Sequence, residues 1–101
     1  MKTNAPGYTP PIVNGGRKLS ASPLGFRLLS ALSAIELIAE GRHVKIREFL
    51  GRQYGGRNWR KMKGIARVEK DDGWIGMAEI HWFEAHGVGK VQWKIKRQLE
   101  P

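Results

Sequence analysis

The chain contains no cysteine, only nine Asp and Glu, and no long uninterrupted run of apolar residues. Without cysteine it has no disulfide, no Cys-based zinc site and no thiol nucleophile, and this favours a cytoplasmic protein. Its longest apolar stretch, residues 24–39, contains two charged residues and two serines. It is too short and too polar for a membrane span, so we expect no membrane partner.

The first part of the chain lacks the apolar core of a secretory signal. Residues 1–21 are instead rich in Pro and Gly, and we expect them to form a flexible N-terminal arm. The rest, residues 22–101, has a size suited to one small domain.

Against its few acids the chain has 18 Lys and Arg, which gives a net charge of +9. Half of these cations lie in residues 42–67, where the only acid is Glu48. So positive a surface usually exists because a polyanion neutralises it. We expect a nucleic acid, RNA rather than DNA, with an acidic protein partner as an alternative. The cations are Arg42, Lys45, Arg47, Arg52, Arg57, Arg60, Lys61, Lys63 and Arg67.

Apolar residues predict a first helix over residues 23–40. Ser22 and Pro23 are typical of a helix start, and Gly41 suits its end. The residues at helical spacing are Leu24, Leu28, Leu32, Ile35 and Ala39. A second, short helix is expected within residues 43–54, ending near Gly55, although residues 44–47 would also fit the opening of a strand.

From Lys61 the apolar period changes to two, which predicts three antiparallel strands in a meander. A three-residue turn with Gly73 at positive φ would oppose Ala66 to Ala78 and Met62 to Trp82. At the next hairpin the apolar pattern favours Trp82 opposite Val91, Ile80 opposite Trp93, Glu79 opposite Lys94 and His81 opposite Gln92.

The predicted fold is therefore α+β, with two helices packed on one face of a three-stranded antiparallel meander. Trp74, Trp82 and Trp93 would face the helices as core residues. The other face would display Lys63, Arg67, Glu79, His81, Lys94 and Lys96.

That polar face carries the first candidate site, His81 and Glu79 on the central strand. An imidazole can take or give a proton near neutral pH, and Glu79 would be its catalytic partner. Lys94, Lys96 and Arg67 would hold a phosphate, an arrangement suited to metal-independent RNA cleavage. Alternatively, Glu79 and Lys94 form an ordinary cross-strand ion pair, and His81 is only solvated.

Three further groups of residues are considered as functional sites. Glu79, His81, Glu84 and His86 match no metal-ligand spacing, so we predict neither a metal nor a cofactor. Tyr54 and Trp59 could stack on a base beside Arg57, Arg60, Lys61 and Lys63, with the amides of Gly55 and Gly56 near a phosphate. Trp59 fits a core position equally well, and the two glycines would also suit a helix stop. Lys94, Lys96 and Arg97 either extend the set of cations that would bind phosphates or protect a sheet edge against aggregation.

Two resemblances accompany these motifs. The order of helices then antiparallel sheet, with a polar face bearing His, Glu and cations, resembles small bacterial ribonuclease toxins of the barnase-like and polymorphic-toxin type. It covers residues 40–97, including Tyr54-Gly55-Gly56 and Glu79-Ile80-His81. This resemblance implies catalytic roles for His81 and Glu79 and phosphate roles for Lys94 and Arg67.

Residues 34–50 resemble the first two helices of winged helix-turn-helix domains, with the hairpin at 71–73 as the wing. This implies a non-catalytic DNA- or RNA-binding module. An antitoxin-like interaction with an acidic protein is the third possibility.

Overall fold

The computed structural model describes residues 24–100, and the predicted arm at 1–21 lies outside them. Of the described residues 58% are in strands and 14% in helices, and the five strands form a half-barrel. The elements are β1 (Phe26–Leu28), β2 (Ser33–Glu40), a 3-10 turn (Gly41–His43), α1 (Arg47–Tyr54), β3 (Arg60–Lys70), β4 (Ile75–Ala85) and β5 (Gly89–Glu100).

All five strands belong to one antiparallel sheet in which β3, β4 and β5 are consecutive neighbours. The free side of β3 is paired by two short strands in succession, β1 opposite residues 68–70 and β2 opposite residues 60–65. The link between them is fastened to β3 by hydrogen bonds from the Leu29 amide to the Arg67 carbonyl and from the Arg67 amide to Ser30 Oγ. β1 and β2 therefore act as one interrupted strand.

The predicted fold, with two helices on a three-stranded meander, is wrong. Residues 23–40 were expected to be a helix, but their described part forms β1, the link and β2. Apolar residues at helical spacing do not by themselves fix a helix, and Ile35 and Ile38 are β-branched residues that suit a strand. Pairing with β3 also satisfies backbone groups that a three-stranded meander would leave open along that edge.

The second predicted helix is present as α1. It ends at Gly55, whose φ is 78° and whose amide donates to the Gly51 carbonyl. With its ψ of −158°, Gly55 has a backbone conformation that essentially only glycine adopts, so a glycine can end the helix here without a Cβ clash.

The first hairpin has the predicted register. Ala66 pairs with Ala78 and Met62 with Trp82, and Gly73 has a φ of 99°. The register predicted for the second hairpin is wrong: Val91 pairs with Phe83, Ile95 with Ile80, Lys94 with His81 and Arg97 with Glu79. The register already differs by one residue beside the turn, where Ala85 pairs with Gly89. A series of bulges in β5, the first at Gln92 with a φ of 58°, shifts it further. Each bulge inserts a residue and shifts the strand against its neighbour.

The two faces of the sheet carry different cores. We call the side with Ala66, Val68, Ala78, Ile80 and Trp82 the apolar face; these residues are fully buried. Trp74 and Trp93 pack against them, as predicted, and Trp93 stacks on Trp82 with ring centroids 5.2 Å apart. We call the side with Lys63, Arg67, Glu79, His81 and Lys94 the polar face.

The helix α1 packs over one end of the polar face, where a helix was not expected. Its residue Leu50 is fully buried in a second cluster with Val44, Trp59 and Ala85. Ala85 lies on the polar face because it alternates in step with Glu79 and His81 along β4. One end of the polar face is thus covered by a helix, and the rest forms the candidate site.

Candidate nucleic-acid interface

His81 and Glu79 are adjacent on the polar face of the central strand β4 because side chains two residues apart point the same way. A hydrogen bond of 2.7 Å joins His81 Nε2 to Glu79 Oε2. Their side chains are only 12% and 13% exposed. The predicted pair is therefore in direct contact and largely sheltered from water.

Glu79 is also held from the neighbouring strand β5. Arg97 Nε donates to Glu79 Oε1 over 3.0 Å. The hydrogen bond from His81 holds the pKa of Glu79 below its usual range, and the positive charges of Arg97 and Lys63 act in the same direction against the opposing effect of burial. Glu79 is consequently an ionised acceptor at neutral pH and not a proton donor.

Cations line both sides of this pair. Lys61, Lys63 and Arg67 lie on the polar face of β3, and Lys63 is directly opposite His81. On the other side, Lys94 is opposite His81 and Arg97 is opposite Glu79. Alternate residues of a strand are about 7 Å apart, so Lys61 and Lys63 are neighbouring charges, and Arg67 follows them after Ile65.

Two of the β3 cations have identified contacts on this surface. Lys61 Nζ lies 5.9 Å from the centroid of the Phe83 ring, over its face. Lys63 Nζ lies 3.7 Å from Glu36 Oε1 of β2. Both contacts involve exposed or half-exposed groups and are weak enough for a phosphate to replace them.

The remaining predicted cations of residues 42–57 surround α1 on the same side of the sheet. Arg47 Nη1 donates to the carbonyl oxygen of Arg42, which ties the start of the helix to the 3-10 turn. All of this group are exposed, and they extend the positive surface beyond the strands: Arg42, Lys45, Arg47, Arg52 and Arg57.

Three other predicted binding residues are placed differently. Arg60 lies on the side of the apolar face, where its Nη2 donates to Glu84 Oε2 over 3.0 Å. Trp59 is 2% exposed and belongs to the second core cluster. It is therefore a core residue, and its ring has no open face on which a base could stack. Lys96 occupies a β5 bulge between Ile95 and Arg97.

Tyr54 remains at the surface, 36% exposed, at the end of α1. Its hydroxyl accepts a hydrogen bond of 2.7 Å from Gln92 Nε2, and its ring lies 6.1 Å from that of Trp59. The contact ties α1 to the bulge of β5. Tyr54 is thus the one ring of the predicted stacking pair that is partly open.

The four residues considered as metal ligands do not converge. Glu84 is on the apolar face, where it accepts hydrogen bonds from Trp82 Nε1 and Arg60, whereas Glu79 and His81 are on the polar face. His86 is exposed at the tip of the second hairpin. Within residues 24–100 no three His, Asp or Glu side chains are grouped as metal ligands.

Sequence reasoning missed two contacts of this site. The pairing of Arg97 with Glu79 depends on successive bulges in β5, for which the alternation of residues gave no signal. The approach of Glu36 to Lys63 was missed because the sequence predicts a helix for residues 23–40. A strand prediction beside β3 would have placed Glu36 near Lys63.

Comparisons with protein-family models, with curated proteins and with solved structures found no match to this chain. In the part of the chain that the structure describes, no helix has the length and apolar character needed to cross a membrane.

Proposed function

We propose that this chain binds single-stranded nucleic acid, RNA in preference to DNA, along the polar face of its sheet. The observation that carries the proposal is the gathering of cations from two strands, β3 and β5, on either side of the Glu79–His81 pair. Glu69 on this face is paired with Arg27. The other two carboxylates, Glu36 and Glu79, are outnumbered by five cations, so the surface has a positive excess: Lys61, Lys63, Arg67, Lys94 and Arg97. Such an excess attracts phosphates and releases their counterions.

The shape of this surface favours a single strand. Lys61 and Lys63 lie about 7 Å apart along β3 and Arg67 lies one further position beyond Ile65, and cations spaced in this way can follow the phosphates of an extended backbone. The edges of bases in a duplex major groove are normally reached by a helix or a two-stranded ribbon inserted into the groove. Here the open surface is the face of a sheet, a kind of platform that single-stranded RNA uses in other proteins.

A second candidate function is metal-independent cleavage of RNA at His81. The hydrogen bond between His81 and Glu79 is the observation that favours it, because an imidazole held by a carboxylate can accept a proton from a 2′-hydroxyl. Glu79 would orient the ring, and Lys63 or Lys94 would stabilise the charged phosphorane. The resemblance to ribonuclease toxins suggests the same roles.

The test is to incubate end-labelled RNA, and DNA of the same sequence, with the protein in excess EDTA over a series of salt concentrations. We expect RNA binding that weakens steeply with salt. Cleavage that survives EDTA and disappears in His81→Ala, with binding retained, would support the ribonuclease. Salt-sensitive binding without cleavage would leave the binding module alone.

Failure to bind either nucleic acid at physiological salt would contradict the proposal. A stoichiometric complex with an acidic protein would then be the function to seek. Equal affinity for RNA and DNA would retain the binding surface and reject its preference for RNA.

A further inference from the structure

The outer edge of β2 exposes several large apolar side chains. Ile35 is 49% exposed, Leu37 50% and Ile38 41%. β2 pairs with β3 on its inner side, and its outer edge meets no other strand among residues 24–100. An exposed apolar edge offers both backbone hydrogen-bonding groups and side chains to another strand.

The charged residues of this edge are the two acids Glu36 and Glu40, and it lacks the cations that most often prevent such pairing. Ser33–Glu40 contains no Lys, Arg or Pro. The opposite edge strand, β5, carries Lys90, Lys94, Lys96 and Arg97 and has several register shifts. Cations and bulges both protect an edge strand against association. β2 also has register shifts, so what distinguishes the two edges is the cations, which β5 has and β2 lacks.

We propose that β2 pairs with β2 of a second copy of this chain, in an antiparallel arrangement about a twofold axis near Leu37. Charge is the reason for choosing a second copy. Each chain carries +9, so two copies repel each other wherever their cations meet. Residues 28–41 contain no Lys or Arg, and β2 adds two acids, Glu36 and Glu40. Two copies therefore approach at this edge with the least repulsion.

The position of the axis follows from the two acids. Pairing about Leu37 sets Glu36 opposite Ile38 and Glu40 opposite Ala34. Pairing about Ile38 would instead set Glu36 against Glu40, which is unfavourable. β2 has irregular pairing with β3 on either side of residues 36–37, so contact between the copies would centre on this segment.

Pairing at this edge would also extend the core. Leu37 is opposite Met62, which packs against the buried cluster of the apolar face. Gly64 also lies on the apolar face, and Ile35 Cγ1 is 3.4 Å from the position that a Cβ on Gly64 would take. A second β2 would cover the side chains of Ile35 and Leu37. Because the twofold axis of an antiparallel pair is perpendicular to the sheet, both polar faces would lie on the same side.

The mass of the full chain in solution, measured by light scattering over a dilution series, tests this proposal. We expect a species of roughly twice 11.4 kDa that dissociates on dilution. Leu37→Lys places a cation at the axis and should raise the dissociation constant roughly 30-fold or more. Leu99→Lys is the matched control, because Leu99 is 42% exposed on the other edge strand; this variant should remain dimeric.

Cysteine cross-linking gives a second measurement, which holds even if Leu37→Lys does not fold. The chain has no cysteine, so Leu37→Cys introduces the only thiol. Directly paired residues of antiparallel strands have Cα atoms about 4.5–5.5 Å apart, within disulfide range. We expect Leu37→Cys to form a covalent dimer under oxidising conditions and Leu99→Cys to form no covalent dimer. Efficient cross-linking of Leu99→Cys alone would instead indicate pairing at β5 and overturn the proposal.

Salt separates this association from nucleic-acid binding. Screening of the +9 charges should strengthen the dimer, whereas salt weakens binding to phosphates. A chain that stays monomeric at every concentration and salt level would overturn the proposed dimer and leave the proposed binding surface untouched.

Discussion

Glu79 is the residue on which the polar contacts of the site converge. It accepts hydrogen bonds from His81 on its own strand and from Arg97 on the next. Parity along β4 was enough to predict that His81 and Glu79 share a face. It was not enough to identify Arg97, because the bulges of β5 displace that residue from the register that simple alternation requires.

The lowered pKa of Glu79 predicts a loss of stability in acid. Hydrogen bonding to His81 is its largest cause. The ionised carboxylate stabilises the folded chain fully above the ordinary carboxyl pKa of about 4.3, and this contribution is lost as the pH falls through the lower pKa of the folded state. Glu79→Gln removes the ionisation, so the difference in unfolding free energy between wild type and variant should narrow as the pH falls below about 5. Urea unfolding at several pH values measures it, and a difference independent of pH would contradict this account.

The Trp82–Glu84 contact predicts a second single-residue effect. Trp82 Nε1 donates to Glu84 Oε1 over 2.8 Å. Burial raises the pKa of Glu84, but hydrogen bonds from Trp82 and Arg60 and the charge of Lys90 together hold it below its usual range. Trp82→Phe keeps an aromatic ring beside Trp93 and removes the donor, which should lower the unfolding free energy by about 1–3 kcal/mol.

Trp93→Phe is the control for loss of an indole from the stacked pair; Trp93 is partly buried and Trp82 fully buried, so the loss at Trp82 also includes a larger cavity. The control removes the same indole nitrogen from the ring stacked on Trp82, and no hydrogen bond from this nitrogen is identified among residues 24–100. Equal losses of unfolding free energy in the two variants would mean that the stacked rings, and not the Glu84 contact, provide the stabilisation.

At the scale of elements, β3, β4 and β5 could be predicted because alternation of apolar and polar residues sets one buried face on each strand. β1 and β2 could not, because most of their apolar residues are not buried. Every residue of β2 except Ala39 is exposed. What makes residues 33–40 a strand is pairing with β3, which is distant in sequence. Helix α1 was predicted, but the face of the sheet that it covers was not, because that face is set by the packing of Leu50 against Ala85.

The contact between the end of α1 and the second hairpin can be tested with two adjacent glycines. Gly55 and Gly56 have φ of 78° and 79°. A Cβ on Gly55 would meet nothing within 4 Å, whereas one on Gly56 would lie 2.8 Å from Val88 Cγ2. We expect Gly55→Ala to cost about 1–3 kcal/mol, because the backbone of Gly55 has a conformation that essentially only glycine adopts, and Gly56→Ala to cost more because of the added clash.

Thermal or urea unfolding of both variants measures this difference. Adding Val88→Ala to Gly56→Ala removes the clashing methyl group and should recover part of the loss, an interaction that a double-mutant cycle isolates. Equal losses of unfolding free energy in the two alanine variants, with no recovery on adding Val88→Ala, would contradict the close approach of Gly56 to the hairpin.

At the scale of the whole molecule, the half-barrel separates a buried apolar face from a cationic polar face. The sequence predicted the excess of positive charge and much of the polar face. It did not predict that α1 would sit on that same side and so bring the cations around the helix next to those of β3 and β5. That arrangement depends on long-range packing of Leu50, Trp59 and Ala85, which no local pattern encodes.

The central claim is that the polar face, and not net charge alone, binds RNA. The most direct test compares two double variants that lose the same charge: Arg67→Ala with Lys94→Ala on the polar face, and Lys70→Ala with Lys90→Ala on the side of the apolar face. The measured quantity is the dependence of the RNA dissociation constant on salt.

We predict that the polar-face variant binds roughly tenfold or more weakly and that its salt slope falls by about 1.4, the value for two phosphate contacts with a single strand. The variant with both substitutions on the side of the apolar face should keep most of the wild-type affinity and slope. Equal losses in the two variants would contradict the account, because binding would then follow the net charge and not the surface around His81 and Glu79.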